Sequence, residues 1–289
     1  MTPRRRSDLD RWPEHPVPTS FSVAEVVPEP GAPHRVMLLL GGSESSFLDL
    51  EDPAYLEFEY MQHVRAVVDA ALGPPGTTPP DDATRDPRTA RFVHLGGAAC
   101  ALPRALLADR PHSRHLVVEL DTELARLVRA WFDLPRAPAL RIRNAEARES
   151  VEHLHPGSVD VLVRDVFVDA EVPEHVRTVQ FVRAAAEALA PGGIYVLNLT
   201  DSPGLRRVRE EAAALTSVFG EVLGVVDPAV WKGRRYGNVV LVASHHRLDA
   251  AAVDRGLRRL PFPAIVVGGA ELAHMGAGTA APLDPPAIA

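Results

Sequence analysis

Three acidic residues stand where three successive apolar segments end. His115–Glu119 finishes on Glu119, Leu140–Arg143 runs into Asn144-Ala145-Glu146, and Val159–Arg164 delivers Asp165. Ahead of them Phe92–Leu95 enters a turn of small residues, Gly96-Gly97-Ala98-Ala99-Cys100. Small residues between a strand and a helix let backbone N–H groups approach a ligand, although such a turn is often only a tight connection. Glu119 follows the glycines at about the twenty-residue spacing of Rossmann-type sites, where a carboxylate accepts the hydroxyls of a ribose. A plainer role is capping the next helix, for which Asp121 is the better candidate. Glu146 could accept an adenine amino group while Ala147 leaves the edge of the ring free, but charged residues are commonplace at such junctions. Asp165 reaches the same rim, with Pro173, His175 and Thr178 beyond it, and the convergence of three carboxylates on one rim points to a site.

The rim exists only if the segments are neighbouring strands of one sheet. From Arg91 onward the chain alternates strand-like runs (92–95, 115–119, 140–143, 159–164, 193–197, 221–226 and 238–243) with helical stretches at 101–109, 122–132, 146–154, 175–190 and 204–218. That alternation predicts an α/β domain, a parallel sheet covered by helices on both faces whose last strand returns antiparallel, with ligands bound beyond the carboxyl ends of the strands. Residues 21–72 read as a small N-terminal β unit with a Gly41-Gly42-Ser43 turn, followed by a helix over 54–72. Residues 73–90 read as a linker, 91–262 as the core, and 1–20 and 263–289 as loose ends.

Composition narrows the partners. A formal charge of −7 over 289 residues, with basic residues clustered only at Arg4–Arg6, argues against a general nucleic-acid binder. The single cysteine, Cys100, excludes an intramolecular disulfide and a cysteine-built zinc site, and the histidines lack metal-ligand spacing. The N-terminus lacks the apolar stretch of a signal peptide, and no apolar run approaches the roughly 20 residues of a membrane span. The expectation is a soluble cytoplasmic protein without metal, membrane or nucleic-acid partners.

Taken together, Gly96-Gly97, Val118-Glu119-Leu120-Asp121, Glu146-Ala147-Arg148, Asp165-Val166-Phe167 and Leu189-Ala190-Pro191-Gly192-Gly193 resemble spermidine synthase and its relatives over about residues 35–245. Leu56-Glu57-Phe58-Glu59-Tyr60 is similar to the segment before the family's core. The resemblance implies a Rossmann-like, class I methyltransferase-type fold that moves an aminopropyl group from decarboxylated S-adenosylmethionine to a small-molecule amine, with no metal. It places Gly96, Gly97, Ala99, Glu119, Leu120, Glu146 and Ala147 at the nucleoside. It makes Asp165 the base that takes the amine's proton, lines the amine channel with Tyr60 and Asp169, and suggests a homodimer. The chain departs from the family's pattern at Ala99, where an aspartate usually meets the aminopropyl group, and at Met61, where a glutamine is usual. Two further readings stay open: a methyltransferase using S-adenosylmethionine, and a non-catalytic nucleoside-binding descendant.

Overall fold

The computed structural model describes residues 12–76, 86–168 and 171–285. The N-terminal unit is an antiparallel meander of β1 (Val17–Pro18), β2 (Val23–Glu29), β3 (Ala32–Leu40) and β4 (Ser43–Asp49). Gly41 and Gly42, with φ of 57° and 81°, make the two-residue turn between β3 and β4, a backbone shape other residues adopt only under strain. Helix α1 (Glu59–Leu72) then turns Met61, Val64, Val67 and Val68 inward at helical spacing. It begins later than the predicted residue 54, after the turn that follows Asp52.

The core sheet carries β5 (Arg91–Leu95), β6 (Arg114–Glu119), β7 (Leu140–Asn144), β8 (Val159–Arg164), β9 (Leu189–Asp201), β10 (Glu221–Val226), β11 (Gly237–Ser244) and β12 (Ile265–Val267). Their order is β12-β10-β11-β9-β8-β5-β6-β7. The strands from β7 to β9 pair parallel, and β11 runs antiparallel to both β9 and β10, so the expected return strand is present. β8 is buried along its whole length, as a strand covered on both faces must be.

Successive side chains leave a strand on opposite faces. Phe92, Val161, Val163 and Val196 therefore pack against α1, α2 (Ala101–Asp109), α3 (Thr122–Trp131) and α8 (Ala250–Leu257). Val93, Leu95, Leu162 and Leu197 pack against α4 (Ala147–Glu152), α5 (Val179–Ala188), α6 (Arg206–Thr216) and α9 (Gly269–Gly276). A short α7 (Pro228–Trp231) lies between β10 and β11. Helix α5 starts later than the predicted residue 175 because Thr178 caps it, its hydroxyl oxygen accepting the N–H of Phe181 at 3.2 Å. Among the described residues no helix is long and apolar enough to cross a membrane.

Both ends differ from expectation where they are described. Trp12 is buried with its ring 5.5 Å from Phe132, and the N–H groups of Ser20 and Phe21 donate to Asp121 at 2.9 and 3.3 Å. The segment 263–285 packs onto the core through part of its length. β12 pairs with β10, Leu272 of α9 is fully buried, and Pro282 O accepts the N–H of Val179 at 2.9 Å. Its Gly, Ala and Pro content concealed this, but Ile265-Val266-Val267 is a short β-branched run and Leu272 and Met275 share one helical face.

Candidate functional site

The parallel order brings the carboxyl ends of β5, β6, β7 and β8 side by side, so the glycine turn, Glu119, Glu146 and Asp165 share one rim. Gly96 has φ of 83°, and a Cβ there would lie 2.2 Å from the carbonyl oxygen of Asp165; at Gly97 it would lie 2.4 Å from Val117 Cγ1. Gly96 thus lets the end of β5 press against the Asp165 backbone, and Gly97 lets it press against the Val117 side chain. Ala98 and Cys100 also take left-handed φ values of 41° and 59°. Such a turn gathers N–H groups into an anion-binding concavity.

That concavity is already filled from within the chain. Glu119 Oε2 accepts the N–H groups of Gly97 and Ala98 at 3.0 and 3.1 Å, and Oε1 accepts the Asp121 N–H at 3.0 Å. The turn N–H groups expected to meet a ligand are instead committed to a carboxylate. Of the about four acceptor positions of a carboxylate, one on Oε1 stays open, which still suits a ribose hydroxyl. Asp121 is the helix cap, its Oδ1 accepting the Leu124 N–H at 2.8 Å, and Leu120 between the two acids is half-exposed.

Ala99 does not face this space. It is fully buried in the core, and its N–H donates to Ser46 Oγ of β4 at 3.2 Å. Met61 is likewise a core residue. Burial pushes the Cys100 thiol up to about 12, which makes it an inert packing group.

Glu146 both caps and points outward. Its Oε2 accepts the Glu149 N–H at 2.8 Å, while Oε1 accepts from His175 Nε2 at 3.0 Å. Burial alone would raise its pKa, but these bonds, together with one from the Arg148 N–H and the charge of His175, hold it below the ordinary value. Ala147 is buried in the first turn of α4.

At the end of β8 the Asp165 carboxylate is held on both oxygens. Tyr60 of α1 donates its hydroxyl to Oδ2 at 2.8 Å, and Asn198 of β9 donates Nδ2–H to Oδ1 at 3.0 Å. Asp165 keeps part of its surface open. Burial nevertheless pushes its pKa up, against the lowering effect of the Asn198 and Tyr60 bonds and the Arg164 charge. Burial and the Asp165 charge keep the Tyr60 phenol protonated. Asp169, the other expected channel residue, lies outside the described residues.

Sequence reasoning missed Asn198, whose only signal was an amide inside the apolar run Ile194–Leu199. Its own Oδ1 is buried without a partner at this rim. Also missed was the ionic platform under the site. Arg164, fully buried, pairs with the equally buried Glu211 at 2.7 Å and donates to Val176 O at 2.7 Å. Arg177 joins through Glu210 and Glu211 at 2.6 and 3.1 Å. The residue beside Asp165 is thereby fixed to α6 and to the segment carrying His175. Among the histidines, His94 and His115 share a buried hydrogen bond of 3.0 Å between β5 and β6, and burial drives His94 down to about 3, a packing role.

No protein-family model matches the chain. A probable spermidine synthase from Corynebacterium glutamicum is 36% identical, with a TM-score of 0.87 over 95% of this chain and 98% of that one. A polyamine aminopropyltransferase from Chromobacterium violaceum is 27% identical over 206 residues, 70% of each chain. Another from Vibrio vulnificus is 26% identical over 138 residues, so that the match spans 47% of this chain and just under half, 46%, of the relative. Human methyltransferase-like protein 13 in complex with SAH, 17% identical with a TM-score of 0.51 over 80% of this chain and 96% of that one, shares the fold.

Proposed function

This chain belongs to the spermidine synthase family, and we propose that it transfers an aminopropyl group from decarboxylated S-adenosylmethionine to a small amine. The observation that carries the reading is the Asp165 carboxylate at the sheet rim, tethered on one oxygen by Tyr60 and on the other by Asn198. An amine is a cation at neutral pH, and its nitrogen cannot attack until a nearby base removes a proton. Asp165 attracts the cation and takes that proton, and its raised pKa makes it a stronger base than an exposed aspartate.

The donor, when bound, supplies an electrophilic carbon on a sulfonium and leaves as methylthioadenosine. The fit of the chain to such a nucleoside rests on the free acceptor position of Glu119 for the ribose, the half-exposed Leu120 for the face of the base, and Glu146 for its amino group. Gly96, Gly97 and Ala147 shape the wall, Tyr60 and Asp169 belong to the amine channel, and Ala99 acts from behind through packing. No metal enters this reading. The single cysteine and acidic charge favour a cytoplasmic protein with no nucleic-acid or membrane partner, and the family likeness favours a homodimer.

A second reading has its own observation. Ala99 is turned into the core, so this turn sends no acid toward the free ammonium of a decarboxylated donor, and S-adenosylmethionine, whose tail also carries a carboxylate, would meet no like charge from it; the chain would then transfer methyl groups. The test offers purified protein putrescine, spermidine and longer amines with each donor and reads the nucleoside product by mass spectrometry. Methylthioadenosine with an elongated amine supports the first reading. S-adenosylhomocysteine with a methylated amine overturns it for the second, and tight nucleoside binding without turnover overturns both in favour of a non-catalytic descendant.

A further inference from the structure

We propose that His175 is a specificity-determining residue of the base subsite, holding the carboxylate oxygen that a 6-aminopurine needs, so that the base competes with the imidazole for it. The inference rests on the nucleoside reading above and adds a residue to it. Glu146 has two oxygens. Oε2 is committed to the Glu149 N–H within its own helix cap, and Oε1, the outward one, accepts from His175 Nε2–H at 3.0 Å. An exocyclic amino group is a donor, as Nε2–H is, and both address the same oxygen.

The His175 contact is built from both sides. Glu146 is fixed as the cap of α4, and two residues on, Arg148 Nη1 donates to the His175 carbonyl at 3.0 Å. Arg148 is itself clamped by Asp284 at 2.5 and 2.6 Å and by Glu152 at 2.7 Å. The backbone of His175 is thus tied to the helix whose cap its ring occupies. The side chains of His175 and Glu146 remain 51% and 35% exposed, enough for one partner to be exchanged for another from solvent.

The chemistry separates two bases. A 6-amino nucleoside must share Oε1 with the imidazole N–H, whose bond already draws on that oxygen's charge, or displace it. A 6-oxo nucleoside presents an acceptor at the same place, which the carboxylate repels and the His175 N–H can serve. His175 therefore weakens recognition of the amino base and supports the oxo base, compressing the difference between them.

The experiment is calorimetric titration of methylthioadenosine and methylthioinosine into the wild type, His175→Ala and His175→Phe, each checked by circular dichroism. Phenylalanine keeps a flat ring but no donor, so it separates the hydrogen bond from packing. Both variants should bind methylthioadenosine about fivefold more tightly, the scale of one net hydrogen bond, and methylthioinosine no more tightly than the wild type. Equal changes for the two nucleosides, or weaker methylthioadenosine binding by both variants, overturn this proposal alone. Absence of binding of either nucleoside to the wild type and both variants overturns the nucleoside reading and this proposal with it.

Discussion

Asn198 on β9 reaches across to β8 and donates its amide to Asp165 Oδ1 at 3.0 Å, opposite the Tyr60 hydroxyl that serves Oδ2. Both bonds lower the pKa that burial raises. Asn198→Ala removes one of the lowering contacts, so the Asp165 pKa rises further. The base works only when deprotonated, and the acid limb of the pH–rate profile should move to higher pH, with kcat reduced about tenfold below that limb. A profile of kcat/KM against pH checks this; an unmoved limb means that another group sets it.

Asp165→Asn keeps the shape of the side chain and removes the base. Turnover should fall by about 10²-fold or more while methylthioadenosine binding is retained. Thermal unfolding supplies an independent readout. The wild-type carboxylate is charged against the preference of its surroundings, so the amide variant should melt at a higher temperature near neutral pH, where Asp165 must be ionised, and the gain should shrink as pH falls and the wild-type acid becomes protonated.

Glu119 fastens the glycine turn as well as facing the site. Glu119→Ala should weaken methylthioadenosine binding by roughly 1.5–3 kcal/mol, the scale of charge-assisted hydrogen bonds. Three backbone N–H groups lose their acceptor with it, so the melting temperature should fall too. Intact affinity with a lowered melting temperature would leave Glu119 as a fastener only.

Ala99→Asp would restore the acid usual in the family, yet the position is fully buried against Ser46 and the core. The expected outcome is lost stability, with no gain for the decarboxylated donor, because an unpaired carboxylate placed there must leave water. Denaturant unfolding alongside paired titrations of the two donors decides it. A gain for the decarboxylated donor at unchanged stability would show that this side chain reaches the cofactor.

Arg164 and Glu211 are a buried pair. Removing one partner, as in Glu211→Ala, should cost about 3–5 kcal/mol by stranding the other charge, whereas Arg164→Met with Glu211→Met should recover much of the loss. Urea unfolding of the single and double variants measures the difference.

The sheet was legible because strands such as Val159–Arg164 read as near-continuous apolar runs, and the acids closing β6 and β8 could be placed at a rim from sequence order alone. Side-chain partners were less accessible. Glu146 turned out to be a helix cap, which its place at a strand-to-helix junction did not announce, and because a cap uses one carboxylate oxygen the other takes a second partner, His175. Asn198 was hidden because a lone amide in a buried strand has no period to betray it, and Arg164 because it closes an apolar strand whose charge is answered 47 residues later by Glu211. Ala99 lies in the turn where it was expected, but a turn with alternating left-handed residues sends successive side chains in directions that spacing does not reveal.

The pairing of β12 with β10 bears on how the chain is made. Until residues 265–267 arrive, the outer edge of β10 at Gly224, Val225 and Val226 has no strand to cover it, and the first N–H of α5 at Val179 has no Pro282 carbonyl to meet. An open, apolar strand edge is a template for pairing with other chains. During synthesis the hazard persists until residues 265–267 have left the ribosome, so this short strand acts as the closure that makes a nascent chain safe from its neighbours.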